Sequence, residues 1–274
     1  MTITIGAKCI GGSILIADRN IINTDGSKTT GCKLYSREFG NGHIALASAA
    51  TDAFASEYLA WKIIDDVATH TCASHEDIAH RACDVMQAWH YSYGAISPPS
   101  IQYLMVACAA GNQGLYMMEP PAAKLEKHAY AIGCGARVAE QSLSRMIPDL
   151  HFRQPEATLM YLVYLAKQAE KYESNIGGGF DALYVPSLGP QVALEETELN
   201  TAAEIVESID ESVDSVLQSI MSMTSADNEV EAIGEFLRIS LTSKTKYIAR
   251  LDLFPTLSAA LTPSISQKSR SSRG

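Results

Sequence analysis

Residues 1–20 read MTITIGAKCIGGSILIADRN, and the folding of this stretch decides how the rest of the chain is read. Two strand-like runs, 3–9 and 13–19, flank the turn Ile10-Gly11-Gly12, which predicts a β-hairpin. The second run, SILIAD, is nearly all apolar, the pattern of a strand covered on both faces. It ends in Asp18, a carboxylate that is costly to bury without a cation. Lys33, in GCKLYS, follows the next turn region and can lie on a neighbouring strand. With the hairpin centred on Gly11, facing residues sum to about 22. Thr4 then faces Asp18, Thr2 faces Asn20, and all four share one face. Thr2 and Asp18 become diagonal neighbours about 7–8 Å apart.

A threonine at position 2 beside a paired Asp and Lys suggests N-terminal nucleophile chemistry. A hydroxyl is a weak nucleophile and needs a base. A threonine at the chain terminus carries its own, because an α-amine has an ordinary pKa of about 7.7–8.0. A nearby ammonium disfavours protonation of that amine, and a carboxylate holds the ammonium in place. Thr2 can act this way only after Met1 is removed, and a small second residue permits that removal. The residues alone leave a plainer alternative open, since threonine is common in strands and Asp18 can be a buried structural acid.

Further along, IALASAA (44–50) is a third strand. Thr51 and Asp52 cap a helix in which Phe54, Tyr58 and Trp61 recur at helical spacing. Ser74 and Asp77 open a second helix, about 75–92, with a capping-box pattern. IQYLMVACA and GLYMME form a hairpin joined by AGNQ, and AKLEKHAYAIG is another strand. Helices follow over about 137–147 and 155–173, the latter with Pro155 in its first turn. GGGFDALYV is a glycine loop leading into a strand.

Strands and helices in separate blocks indicate α+β layering rather than alternating βαβ units. Two antiparallel sheets face to face, each covered by a helix pair, satisfy every apolar face. The predicted fold is a four-layer αββα sandwich. Residues 1–255 form one domain, with a helical extension from about 195. Within it, 198–223 is an amphipathic acidic helix and 227–240 a further one. Residues 256–274 are expected to be a disordered, basic, Ser-rich tail.

Composition narrows the function classes. The net charge of −10 argues against nucleic acid as a partner. No apolar run approaches the length of about 20 residues that a membrane helix needs. The start lacks the basic and apolar regions of a secretory signal. Six scattered cysteines without a CxxC pair fit a reducing cytoplasm rather than a zinc ribbon or a disulfide framework. GCGARV lacks the third small residue of a dinucleotide fingerprint, and GGGF lacks the Lys-Ser or Lys-Thr of a P-loop. His75 and His80, five apart, lie about 140° apart on a helix, so HTCASHEDIAH is not a metal motif. No cofactor or metal is expected.

TITIGAKCIGGSILIADRN resembles the start of proteasome β-subunits and their bacterial relatives, the two-component heat-shock protease and the ancestral-β-subunit type. The matching positions are Thr2, Gly6, Gly12 and Ala17-Asp18, and Lys33 looks like the family lysine with one residue missing before it. IALASAATDAF is similar to the third strand and following helix. The resemblance covers roughly residues 2–190. It implies the N-terminal nucleophile hydrolase fold, with Thr2, Asp18 and Lys33 catalytic and the Ser48 backbone N–H in the oxyanion hole. Asn20, Gly31 and Ala50 would line the substrate pocket, and small residues at Gly31 and Ala50 would leave room for a bulky side chain. Cys134, in AIGCGARV, stands where the family has a serine. In ESNIGG, Glu173 stands at the family aspartate and Ile176 at a serine, so Cys134 and Glu173 become supporting residues and the relay loses a hydroxyl.

The resemblance implies a threonine-type peptidase subunit of a self-compartmentalising homo-oligomeric ring or stack. Its substrate would be a peptide or unfolded protein, with an ATP-dependent unfoldase as a further partner. The alternatives are a non-catalytic structural subunit and an N-terminal nucleophile hydrolase of a small amide.

Overall fold

β1 (Ile3–Cys9) and β2 (Gly12–Asp18) pair antiparallel, but one residue out of the expected register. Thr4 faces Ala17 and Cys9 faces Gly12, because the apex is the two-residue turn Ile10-Gly11, with Gly11 at φ +75. Thr2, Thr4, Asp18 and Asn20 therefore do not share one face through the ladder. Thr2 and Asp18 lie instead at its open end. The computed structural model describes residues 2–22, 25–40, 42–120, 122–126, 128–146, 154–221 and 255–261.

The first sheet has five strands in the order β10-β1-β2-β11-β12, where β10 is Ala129–Gly133, β11 Phe180–Pro186 and β12 Val192–Ala193. The second runs β5-β6-β7-β8-β9: Leu34–Phe39, Gly42–Ala50, Ile101–Ala109, Asn112–Glu119 and Ala122–Glu126. A short ribbon, β3 (Asn20–Ile22) with β4 (Lys28–Thr30), continues from β2. AKLEKHAYAIG is not a single strand. Its first part pairs with β8, and its second crosses to the other sheet and pairs with β1.

Every residue of β2 is buried, as its unbroken apolar run predicts. Leu15, Ala45, Leu104, Val106, Leu115 and Val185 fill the space between the sheets. Helices α1 (Ala53–Thr69) and α2 (His75–Ser92) cover the second sheet through Leu59, Ile63, Ile78 and Met86. Asp52 caps α1 through the Ala55 N–H at 3.0 Å, and Ser74 with Asp77 forms the capping box of α2. Phe54 and Tyr58 lie exposed on the outer side of α1, so their spacing locates the helix but not its buried face. The first sheet is covered by α3 (Ala136–Met146) and α4 (Pro155–Tyr172), with Leu143, Leu159, Leu162 and Val163 packed on Ile3, Ile5 and Ile16. The result is the four-layer αββα sandwich.

The acidic helix α5 runs Glu196–Met221 and packs along α4, Lys167 pairing with Glu207 at 3.0 Å. Residues 256–261, expected at the head of the tail by composition, belong with Pro255 to helix α6 (Pro255–Leu261) instead. Leu257 is fully buried in the first core, and the buried Glu198 carboxylate accepts from the Thr256 N–H at 2.7 Å. Serine and proline mask this short turn, because one leucine supplies its anchor. The helix expected over 227–240 and the tail from 262 lie outside the described residues. Among those described, no helix is long and apolar enough to cross a membrane.

The far end of the sandwich holds a buried histidine. His43 on β6 is 5% exposed, and its Nε2 has no hydrogen-bond partner. Burial lowers its pKa, against a smaller opposing hydrogen bond to the Pro186 backbone and the charge of Glu38. Below the ordinary value of about 6.5 the unfolded chain binds the proton first, so stability falls with pH until the folded state is protonated too. The urea midpoint of the full chain is expected to drop between about pH 7 and about pH 5.5. A His43→Gln variant should lose that part of the slope; an unchanged slope would contradict it.

Candidate active site

Three side chains from three segments meet at the open end of the first hairpin. Thr2 is 4% exposed, Asp18 1% and Lys33 8%. The Thr2 hydroxyl donates to Asp18 Oδ1. Lys33 Nζ donates to Thr2 Oγ1 at 2.5 Å and to Asp18 Oδ1 at 2.8 Å. The Ile3 N–H reaches the same carboxylate oxygen at 2.9 Å. Burial pulls the Lys33 ammonium below its ordinary pKa, and the charge and hydrogen bond of Asp18 oppose that effect. The hydroxyl thus has a proton acceptor on one side and a cation on the other.

The β10–α3 turn clamps the Thr2 backbone from behind. Gly133 has φ +90, and a Cβ there would lie near the Thr2 carbonyl oxygen. The Gly135 N–H and the Cys134 thiol both donate to that carbonyl at 3.4 Å. Cys134 therefore touches the candidate nucleophile's backbone rather than its hydroxyl. Ile176 is 4% exposed, packs against Gly135 and belongs to the same core cluster as Ile3. An apolar side chain thus fills the space behind the Thr2 backbone.

The carboxylate end of β2 is braced by residues that the sequence reading passed over. Arg19 bonds Asp181 through Nη2 at 2.7 Å and Nε at 2.8 Å, and reaches Glu196 at 3.1 Å. The Arg19 and Asn20 N–H groups donate to the carbonyls of Gly179 and Gly177, both at 3.1 Å. Gly178 has φ +74, and a side chain there would strike the Asn20 carboxamide. The glycine loop after α4 is thus the support on which residues 19 and 20 rest. Arg19 Nε and Nη2 both converge on Asp181 Oδ1, and the opposite charges at the ends of two apolar runs, ADRN and FDAL, were the available signal.

Ser48 lies beside the triad, but its N–H is not free. It donates to the Lys33 carbonyl at 3.0 Å, while its own carbonyl accepts from Thr4 Oγ1 at 3.0 Å. The expected oxyanion donor is therefore committed to the β5–β6 ladder, where it fixes the Lys33 backbone. Glu173 caps the C-terminus of α4 through its backbone, and no hydrogen bond links its carboxylate to Thr2, Asp18 or Lys33 among the described residues. Among the described residues no cluster of three or more His, Cys, Asp and Glu side chains is arranged to hold a metal ion.

A cleft opens beside Thr2, with Lys33, Ser48 and Cys32 on one side and Asn20, Ile21 and Ile22 on another. Ala50, Thr51, Ala53, Ser56, Tyr35 and Glu57 complete it. Asn20 and Ala50 are among the lining residues of the cleft. Gly31 is not, because the space left by its missing side chain is filled by Ile21, whose Cδ1 would lie 2.4 Å from a Cβ at that position. Tyr35 and Glu57 were not foreseen, since both belong to elements whose role rests on burial and capping.

Breaking this buried trio has a defined cost. Asp18→Asn removes the counter-charge of Lys33 and is expected to cost about 3 kcal/mol, the lower end for a broken buried pair, because Lys33 can release its proton. Urea unfolding of the full chain measures it. A loss below about 1 kcal/mol would mean that the pair adds little to the fold.

No family model and no curated protein matches this chain. Its fold does match solved structures. It covers 82% of this chain and 100% of the ancestral beta-subunit, Anbu, from Yersinia bercovieri, with TM-score 0.67 and 13% identity. Anbu from Hyphomicrobium sp. strain MC1 matches with TM-score 0.63 and 12% identity over 82% of this chain and 100% of that one. The Gly-1 mutant of the Hyphomicrobium protein gives 0.64 at 12% over 82% and 99%. The shared architecture is the four-layer αββα sandwich described above.

Proposed function

We propose that this chain is an N-terminal threonine hydrolase of peptide bonds, acting as one subunit of a self-compartmentalising ring or stack. The observation that carries the proposal is the Thr2 hydroxyl held between Asp18 Oδ1 and Lys33 Nζ. The fold shared with ancestral beta-subunits supports it.

Removal of Met1 makes the Thr2 nitrogen an α-amine. Thr2 Oγ1 attacks the substrate carbonyl carbon, and its proton passes to that amine, as N-terminal threonine chemistry requires. The amine then protonates the leaving nitrogen, the C–N bond breaks, and an ester to Thr2 remains. Water, deprotonated by the same amine, cleaves the ester and restores the hydroxyl. Lys33 and Asp18 set the local charge that keeps the amine unprotonated. The Ser48 N–H can stabilise the oxyanion only when its bond to Lys33 O is shared or opened, which makes hole formation part of substrate binding. Substrates are peptides or unfolded protein, and an ATP-dependent unfoldase is the partner that such a chamber calls for.

A second reading, a non-catalytic structural subunit, is favoured by the apolar Ile176 and by the occupied Ser48 N–H. Incubating the full chain, with Met1 loss verified by intact mass, with a broad fluorogenic peptide panel separates the two. Hydrolysis of several peptides is the expected result. Absence of turnover across the panel would favour the structural subunit, and cleavage confined to small amides would contradict the peptidase.

A further inference from the structure

The cleft beside Thr2 carries one charge without a partner. Lys33 is neutralised by Asp18 at 2.8 Å. Burial pushes the Tyr35 phenol up to about 12 and raises the Cys32 thiol, so both are neutral near pH 7. Glu57, one turn into α1, is exposed and makes no ion pair with a described residue. Ile21, Ile22, Ala50 and Ala53 line the same cleft as Glu57. The rest of the lining is uncharged and polar apart from Lys33, which Asp18 neutralises, so a mixed wall with one unpaired carboxylate suits a side chain that has an aliphatic stem and a cationic head.

We propose that Glu57 selects a lysine or arginine side chain on the substrate, seated in the cleft next to Thr2. The stem lies against Ile21, Ile22 and Ala50, and the head pairs with the Glu57 carboxylate at the solvent side. The inference rests on the hydrolase reading for the identity of the ligand as a peptide, but not on turnover. Glu57 would be a binding residue that orients the peptide, with no part in proton transfer.

The test measures binding rather than cleavage. The full chain carrying Thr2→Ala, with Met1 loss verified by mass, is titrated with fluorescein-labelled tetrapeptide amides that end in lysine or in norleucine. Lysine is expected to bind about fivefold tighter at low salt, the scale of a partly exposed ion pair, and its advantage should shrink as salt rises. Glu57→Gln should bring lysine to the level of norleucine, while Glu204→Gln, on the exposed face of α5, should change nothing. A peptide with lysine moved to its first position should lose the advantage, which separates the cleft from the chain's overall negative charge. Equal binding of lysine and norleucine, or a lysine preference that survives Glu57→Gln, would overturn the proposal, as would no binding of any peptide. A Glu57-dependent lysine preference in a protein that never hydrolyses peptides would remove the hydrolase reading and leave this inference standing.

Discussion

Thr2→Ala is expected to abolish turnover and to leave the fold intact. The variant loses the attacking oxygen, so no acyl-enzyme can form, and the loss is complete to the limit of detection. Stability changes little, because Asp18 Oδ1 keeps the Ile3 N–H at 2.9 Å and Lys33 Nζ at 2.8 Å. The hydroxyl's two hydrogen bonds, to Asp18 and from Lys33, are lost at a cost of about 1–2 kcal/mol together, because the two charged partners still hold each other. Thr2→Ser keeps the hydroxyl between the same partners and should retain measurable turnover. Initial rates on a peptide cleaved by the parent protein, with urea midpoints on the same samples, check both halves. Full activity in Thr2→Ala would remove Thr2 from the chemistry.

Gly133→Ala is expected to have the next largest effect, through backbone rather than side-chain chemistry. The new Cβ would lie 2.3 Å from the Thr2 carbonyl oxygen and 3.1 Å from Thr2 Cγ2. Its φ of +90 is a conformation that an L side chain rarely adopts. Strain of about 1–3 kcal/mol follows from that dihedral alone. Relief by moving Thr2 would displace the nucleophile, and a shift of about 1 Å costs roughly 10²-fold in rate. Gly135→Ala is the instructive comparison. Its Cβ would meet the end of the Ile176 side chain at 2.4 Å, a group that can rotate away. Turnover should therefore fall far more in Gly133→Ala than in Gly135→Ala. Equal rates in the two variants would contradict the clamp.

The part of this site that the sequence reveals is the part made of unusual residue types in unusual places. Asp18 ends an apolar strand, Lys33 follows at a distance a chain can return across, and Thr2 precedes both. Burial cost then requires that acid and base meet, whatever the register. The register itself is not legible to one residue, because a turn of two residues and a turn centred on Gly11 fit the same letters. That single step moves Thr4 from Asp18 to Ala17. The bonding of the Ser48 N–H is hidden for a similar reason. Position along the chain places Ser48 beside Thr2, but the direction of its N–H depends on which neighbour the strand bonds at that residue, and here it is Lys33.

Other features carry no local signal. AKLEKHAYAIG looks like one strand because nothing in its composition marks the crossing from one sheet to the other. Gly31 looks like room for a ligand until Ile21 is seen to occupy it. Glu57 is an ordinary charged residue in the first turns of a helix, and only the folded cleft brings it near Thr2. The fold class survives all of these misplacements, since it follows from the order of strand and helix blocks and from the all-buried β2.

The central claim is that Thr2 is an activated nucleophile at a free chain terminus. The most direct measurement is peptide mapping by mass spectrometry after treatment of the full chain with peptide epoxyketones and β-lactones, reagents that need the hydroxyl and, for the epoxyketone, the amine of one residue. The predicted result is Met1 absent and an adduct on Thr2 that is lost in Thr2→Ala. Met1 retained and Thr2 unmodified by every reagent would contradict the account.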